Sequence, residues 1–364
     1  MADSTDMPIP TGLADLTPAW LTAALGSTVE AVTVTPIGTG QVADSARLAI
    51  TWAPGSVGPA HLVAKVTAAS EASRAAAAAT RTYELEVGFY THLAAGLPVR
   101  APACSWAGFD AATTSYCVLL EDVAPAQQGD QIGGCTVEEV RLALDELALL
   151  HAPRWGDPTL ADLGWLHPAS LTNGEALGAF IGMLAPGFFD RYRARLTPAV
   201  AELIERILPK LSGYGAGWSG VTTIVHGDFR ADNLMFPPQS ATQHEPHGRR
   251  VVVLDWQTIA IGPGLSDVSY LLGGSLLPDV RREHEEALVR RYLTSLHHHG
   301  VAMDWDTCWM DYRRFTFAGL LMAIMASMLV GQTDRGDSMF VAMADRAGLH
   351  ALDLDSEALF GRST

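Results

Sequence analysis

Lysine is almost missing from this chain. Of its 24 basic residues only Lys65 and Lys210 are lysines, and asparagine occurs only as Asn173 and Asn233. An ammonium is a compact point charge where a guanidinium is a planar fork, so in a sequence drawn this far toward Arg the remaining lysines are places to look for a site where the fork does not fit. Positive charge is scarce altogether. The 24 Lys and Arg against 40 Asp and Glu leave a formal charge of −16, which excludes a nucleic acid or an anionic membrane held by a broad positive field. An anionic ligand must therefore meet locally placed cations or a metal. Cysteine is sparse too: Cys104, Cys117, Cys135 and Cys308 show no C-x-x-C spacing. The first ten residues lack the basic stretch and apolar core of a secretory leader. The expectation is a reduced, cytoplasmic protein. Long hydrophobic runs are absent as well. The longest, 315–330, contains Thr316, Gly319 and Ser327, which reads as a buried helix and not as a membrane span.

What is present is a folded chain of 364 residues, 48% hydrophobic and 18% charged. That length exceeds what one core usually serves, so two lobes with a ligand cleft are expected. The first lobe is placed at residues 1–122. Thr17 and Pro18 open a short helix, strands are predicted over 32–37, 46–52, 61–67, 103–109 and 116–121, and the Ala-rich, Pro-free stretch 71–95 is predicted as one helix. The polar, Gly-rich stretch 124–134 reads as a linker or hinge. The second lobe, 123–364, is mostly helical, with helices expected over 137–151, 174–184, 198–211, 280–299, 309–330 and 338–349. Two short β-rich pieces, 222–225 and 251–254, flank an exposed loop at 237–250. The fold class is thus α+β: an antiparallel sheet carrying one long helix, then a helical C-terminal lobe.

The chemistry concentrates in Val225-His226-Gly227-Asp228-Phe229-Arg230-Ala231-Asp232-Asn233, followed by the apolar strand that ends in Asp255-Trp256-Gln257. Phosphoryl transfer needs a carboxylate beside the attacking hydroxyl and metal ligands near the nucleotide phosphates. Asp228 and Asn233, five apart on one loop, suit the base and one ligand, and Asp255 suits the second ligand.

These residues resemble the aminoglycoside phosphotransferase and choline kinase superfamily, which shares the protein-kinase-like bilobal fold; the details are most similar to its ecdysteroid-kinase-like, CHK-type branch. The resemblance implies a phosphotransferase using ATP and Mg²⁺. It implies Asp228 as catalytic base with Arg230 on the same loop, His226 and Gly227 as shapers of that loop, and Asn233 and Asp255 as metal ligands. In the family a strand lysine holds the α- and β-phosphates, here Lys65 within Leu62-Val-Ala-Lys-Val66. Its helix partner is Glu86 or Glu84, with Glu86 preferred because Glu86-x-x-Phe89-Tyr90 resembles the family's helix pattern. Two residues' separation puts these glutamates on different faces, so only one can serve. The turn from Gly38 through Gly40 to Ser45 reads as a phosphate-covering loop, although Ala43 replaces the third glycine of G-x-G-x-x-G. The backbone around Glu121 and Val123 is where the family binds adenine.

Other features read as structural. Asp267 is expected to cap the helix after it or to brace the catalytic loop, His151 to pack at a helix end, and His297-His298-His299 to point in three directions. Phe317, Leu320, Leu321, Ile324, Met325 and Met328 recur at helical spacing and read first as core. The substrate expected is a small, largely apolar alcohol, with Trp256 a candidate for the floor of its pocket. The rival readings are an antibiotic kinase of the aminoglycoside or macrolide type and a nucleotide-binding pseudokinase without turnover. A protein kinase is disfavoured by His-Gly-Asp and Asp-Trp-Gln in place of His-Arg-Asp and Asp-Phe-Gly.

Overall fold

Period-two alternation organises the first part of the chain. Strands β1 (Val29–Pro36), β2 (Ala43–Trp52), β3 (His61–Thr67), β4 (Cys104–Asp110) and β5 (Ser115–Glu121) form one antiparallel sheet in the order β1-β2-β3-β5-β4. Ala46, Leu48 and Ile50 of β2, Leu62, Ala64 and Val66 of β3, and Cys117 and Leu119 of β5 bury one face, together with Leu21 and Ala24 of helix α1 (Pro18–Leu25). Because side chains alternate, Lys65 falls on the opposite face, in register with Ser45 on one side and Val118 on the other.

The structure, a computed structural model, describes residues 7–38, 42–169, 172–238 and 250–360. It divides into two compact units. The first holds the chain up to Gly96 with Ala101–Ala124 and Asp255–Thr258, and the second holds Leu97–Arg100, Pro125–Leu254 and Ile259 onward.

The single helix predicted over 71–95 is broken. Helix α2 (Glu71–Thr80) stops at Arg81, whose φ of 56° is left-handed, and α3 (Thr82–Gly88) starts there, running on into a π-helical turn at Phe89–Leu93. Arg81 closes α2 by donating its N–H to Ala77 and Ala78, and its guanidinium grips Glu84 at 2.6 and 2.8 Å. An alanine run carries little amphipathic signal, so the sequence could not show where the helix turns to bury Tyr83 and Glu86.

In the second unit, β6 (Gln127–Gln128), β7 (Thr223–Val225), β8 (Leu234–Phe236), β9 (Val252–Val253) and β10 (Ala260–Gly262) make two small sheets, β6-β8-β9 and β10-β7. Around them lie α4 (Val137–His151), α5 (Gly174–Tyr192), α6 (Pro198–Ile207), α7 (Gly264–Ser275), α8 (Pro278–His298), α9 (Trp305–Arg314), α10 (Ala318–Leu329) and α11 (Asp334–Asp353). Every residue of α7 is buried. The helix predicted over 309–330 divides into α9 and α10 at the buried Phe315, Thr316 and Phe317, where the Thr316 hydroxyl donates to Arg313 O at 3.0 Å. Most of the exposed loop predicted at 237–250 lies outside the described residues. No helix among the described residues is long and apolar enough to cross a membrane.

The stretch read as a linker is instead tied down. Gly129 N donates to Leu234 O, Gln128 Nε2 to Asp232 O, and Gln131 N to Asp232 Oδ1. A Cβ on Gly129 would sit 2.5 Å from Ala231 O, so only glycine permits this approach. Gly, Gln and Pro signalled irregular backbone correctly, but irregular is not the same as mobile.

Candidate active site

In the first unit, Lys65 Nζ donates to Glu86 Oε1 at 2.7 Å and to Asp255 Oδ1 at 2.9 Å. Glu86 is fully buried, and its second oxygen accepts from Gln257 Nε2 at 3.1 Å and from the Tyr116 hydroxyl. Burial works against the Lys65 ammonium, but the charges of Asp255 and Glu86 and their hydrogen bonds outweigh it and hold its pKa above the usual lysine value. Burial, then Glu86, pushes the Tyr116 phenol well above its ordinary value, so it stays a donor. Glu84 pairs with Arg81, and Glu86 is the helix glutamate bonded to Lys65. Asp255 has a φ of 65°, an unusual conformation for a residue other than glycine and one that tends to occur at functional positions. Its side chain is 37% exposed.

In the second unit, the His-Gly-Asp loop follows β7. Gly227 has a φ of 82°, which explains the glycine there. Asp267, in the first turn of α7, accepts from His226 N at 2.7 Å and Gly227 N at 3.0 Å, and His151 Nε2 stands 3.2 Å from it. Asp267 therefore braces the loop. His226 is buried; its Nε2 lies 2.9 Å from the carbonyl of Leu254, the residue before Asp255, while Asp228 N donates to its Nδ1 at 3.3 Å. These contacts put the ring hydrogen on Nε2.

The Asp228 carboxylate is held from three sides. Arg230 Nε donates to Oδ1 at 3.1 Å and Oδ2 at 3.0 Å, Asn233 Nδ2 to Oδ2 at 2.8 Å, and the Tyr270 hydroxyl to Oδ1 at 2.6 Å. Asn233 Nδ2 also donates to Asp228 O at 2.9 Å. The amide nitrogen of Asn233 is thus committed to Asp228, which leaves its oxygen, the atom a hard cation prefers, outside these bonds. Arg230 continues to Asp232 at 3.0 Å, and Arg335 of α11 takes the same carboxylate at 3.1 and 3.2 Å. Burial opposes the Arg230 charge, yet Asp228, Tyr270 and Asp232 raise its pKa overall.

Gln131 is the hub the sequence did not reveal. It is fully buried; Oε1 accepts from Ala231 N, Nε2 donates to Gly274 O, and its own carbonyl accepts from Arg346 Nη1, each at 2.9 Å. It joins the loop that follows His-Gly-Asp to the C-terminal end of α7. Tyr270 was also missed, although its i, i+3 spacing from Asp267 signals that both face the same way.

The remaining sequence candidates are distributed as follows. Gly38, with a φ of 70°, follows β1, whereas Gly40 lies outside the described residues. Ser45 sits on β2 beside Lys65. Glu121 ends β5 and exchanges two hydrogen bonds with Ala103, while Val123 lies two residues beyond the strand. Trp256 does not floor a pocket: it is fully buried and stacks on Phe89 at 3.7 Å, because the residue after Asp255 turns into the core of the first unit. His297 Nε2 lies 2.7 Å from Met303 O. Among the described residues no three His, Cys, Asp or Glu side chains converge to hold a metal by themselves.

Residues 160–303 match the model of the ecdysteroid kinase-like family. A candidate aminoglycoside phosphotransferase from Ralstonia eutropha JMP134 is similar in structure, with a TM-score of 0.55 at 17% identity over 92% of this chain and 97% of that one. Choline kinase from Cryptosporidium parvum Iowa II gives 0.54 at 11% identity over 94% and 93%, and Plasmodium vivax ethanolamine kinase 0.52 at 9% over 87% and 82%. Acyl-CoA dehydrogenase family member 10 of Mus musculus is 33% identical over 119 residues, 31% of this chain and 10% of that protein. Member 11 of Homo sapiens is 25% identical over 202 residues, 50% of this chain and 24% of that protein. The chain spans about a tenth and about a quarter of these two curated relatives. Its fold is thus similar to those of an aminoglycoside phosphotransferase-like protein and of choline and ethanolamine kinases, and residues 160–303 carry the ecdysteroid kinase-like pattern.

Proposed function

We propose that this protein transfers the terminal phosphoryl group of ATP, with Mg²⁺, to a hydroxyl of a small and largely apolar molecule. The observation that carries the reading is the hold on Asp228: a carboxylate fixed by Tyr270, Arg230 and Asn233 on a loop that Asp267 braces. In this reading Asp228 orients the acceptor hydroxyl and takes its proton as the new O–P bond forms and the bond to the departing ADP oxygen breaks. Lys65, aligned by Glu86, binds α- and β-phosphate oxygens. Arg230 offsets the charge of Asp228, and His226 shapes the loop. Gly38, after β1, and Ser45, on β2 beside Lys65, lie over the phosphates, and the backbone near Glu121 and Val123 receives adenine. Residues 1–122 then serve the nucleotide and 123–364 the chemistry and the acceptor.

The donor chemistry fits Mg²⁺: Asn233, in the second unit, and Asp255, in the first, each offer a hard oxygen of the kind this ion accepts alongside phosphate and water. When bound, Mg²⁺ neutralises charge on the phosphate oxygens.

The preference for an apolar acceptor rests on the surroundings of Asp228. Asp228, Arg230, Asp232 and Arg335 balance two negative charges with two positive ones, so they offer no surplus negative charge to a polycation. Arg230 Nη1 also touches Met339 Sδ at 3.3 Å. Burying apolar ligand surface contributes roughly 25 cal/mol per Å² without any charge pairing.

The test is an ADP-release screen with Mg·ATP and Mg·GTP over sterol-like, choline-like, amino-sugar and macrolide alcohols. Turnover of hydrophobic alcohols is the expected result. Turnover of amino sugars or macrolides alone would favour the antibiotic-kinase reading, and nucleotide binding without turnover of any acceptor or of water would favour the pseudokinase.

A further inference from the structure

The carboxylate of an aspartate turns easily about its last torsion, which is broad and nearly two-fold. A base that must meet one hydroxyl therefore needs its plane fixed by partners that tell the two oxygens apart. Arg230 does not tell them apart, since its Nε stands 3.1 Å from Oδ1 and 3.0 Å from Oδ2 of Asp228. Asn233 bonds Oδ2 alone, at 2.8 Å, and Tyr270 bonds Oδ1 alone, at 2.6 Å. Of these two, Asn233 shares the loop of Asp228 and moves with it. Tyr270 comes from α7, outside the loop, and α7 is buried along its whole length.

We propose that Tyr270 is a positioning residue of this site: its hydroxyl fixes the plane of the Asp228 carboxylate and thereby the direction from which Asp228 meets the acceptor hydroxyl. The proposal rests on the phosphotransferase reading above and names a residue that its motifs do not include. One helix then controls the loop at two levels. Asp267 fixes the backbone at His226 and Gly227, and Tyr270, three residues later on the same face, fixes the side chain of the next residue. The ring is itself confined. It is 4% exposed, and a Cβ added at Gly319 of α10 would already stand in van der Waals contact with it, 3.8 Å from Tyr270 Cδ2. Burial first, and the Asp228 charge second, push the phenol pKa well above its ordinary value. The hydroxyl therefore remains a donor and does not compete with Asp228 for the acceptor proton.

Tyr270→Phe keeps the ring and removes only the hydroxyl, so packing against α10 survives. The experiment measures steady-state ADP release from Mg·ATP, with water as acceptor and with any alcohol found in the screen, for four proteins: wild type, Tyr270→Phe, Asp228→Asn and the double variant. The expected result is a fall in kcat of roughly 10- to 100-fold for Tyr270→Phe with KM for Mg·ATP unchanged, because only the reacting geometry is disturbed. In the Asp228→Asn background the same change should cost less than about 2-fold, since the residue through which Tyr270 acts has already lost its function. Wild-type kcat in Tyr270→Phe would overturn the proposal and leave the phosphotransferase reading standing. An equal loss in both backgrounds, or a loss confined to KM, would also overturn it, because the hydroxyl would then act elsewhere. Absence of ADP release from the wild type itself would remove the reading and the proposal together, and that outcome is distinguished by the wild-type arm alone.

Discussion

Lys65 and Glu86 meet at 2.7 Å between Nζ and Oε1, the lysine on the sheet face opposite the hydrophobic cluster and the glutamate fully buried. The pair explains why one of only two lysines has survived in an arginine-rich chain. Nζ serves two carboxylates, Glu86 and Asp255, from a single point. A longer, planar guanidinium cannot take that place without displacing one of them.

Lys65→Arg should accordingly lower ADP release nearly as far as Lys65→Met, by roughly 10²-fold or more. Only the Met variant should also lose stability, by about 3 kcal/mol, because it strands the Glu86 charge in the interior. Parallel kinetics and thermal melts separate the two effects. Substantial activity in the Arg variant would mean that positive charge alone suffices at position 65.

Asp228→Asn should preserve the fold and nucleotide binding while lowering turnover by roughly 10²- to 10⁴-fold. The amide keeps the size of the carboxylate but cannot accept a proton, and it faces Arg230 without a charge to offer. Near-normal turnover in a clean preparation would take Asp228 out of the mechanism.

Asp255→Ala should abolish the Mg²⁺ dependence of nucleotide binding, which is measurable by calorimetry with and without the ion. It also frees Lys65 from one of its two carboxylates, so residual metal-free binding should persist through the ammonium. Unchanged affinity for Mg·ATP would remove Asp255 as a ligand.

How much of this was legible depended on whether the signal was local. The strand around Lys65 was found to the residue, 61–67, because alternation of Leu62, Ala64 and Val66 is a property of neighbours. The His-Gly-Asp loop and Asp255 stood out as candidates because short spacings are also a property of neighbours. Gln131 was not: its function in the fold comes from partners 100 and 143 positions away, and a Gln among glycines looks like loop. Arg81 and the 315–317 turn escaped for a related reason, since each depends on which face tertiary packing buries. Trp256 misled because an aromatic beside a candidate metal ligand suggests a pocket, whereas Phe89 had already claimed it.

Stability should carry an acid limb centred away from the site. Glu285 of α8 is buried, which alone would raise its pKa, but His350, Arg281 and Tyr312 surround it at 2.7, 2.9 and 2.7 Å and hold it at about 2 against an ordinary 4.5. A carboxyl depressed in the folded state stabilises fully above its unfolded value and ceases to do so as pH falls through the folded one. Between about pH 4.5 and 2 the wild type should therefore lose on the order of 3 kcal/mol that Glu285→Gln does not lose. Denaturant titrations of both proteins across that window check it, and parallel pH slopes would show that the cluster is not the source.

The acceptor can be classified before it is identified, because the two candidate chemistries respond differently to salt. An apolar alcohol would bind through burial, with Met and other apolar side chains of the second unit as its surroundings, and burial is only weakly affected by ionic strength. An aminoglycoside would have to find several unpaired carboxylates, and around Asp228 the carboxylates are already matched by Arg230 and Arg335. Arg335 is 55% exposed, so a polycation approaching there meets a guanidinium. With nucleotide and Mg²⁺ saturating, the apparent acceptor affinity should therefore change less than about 2-fold between low and moderate salt, over which the Debye length shrinks from roughly 30 to 10 Å. A steep loss of affinity over the same range, together with turnover of amino sugars and not of hydrophobic alcohols, would reverse the assignment in favour of an antibiotic kinase.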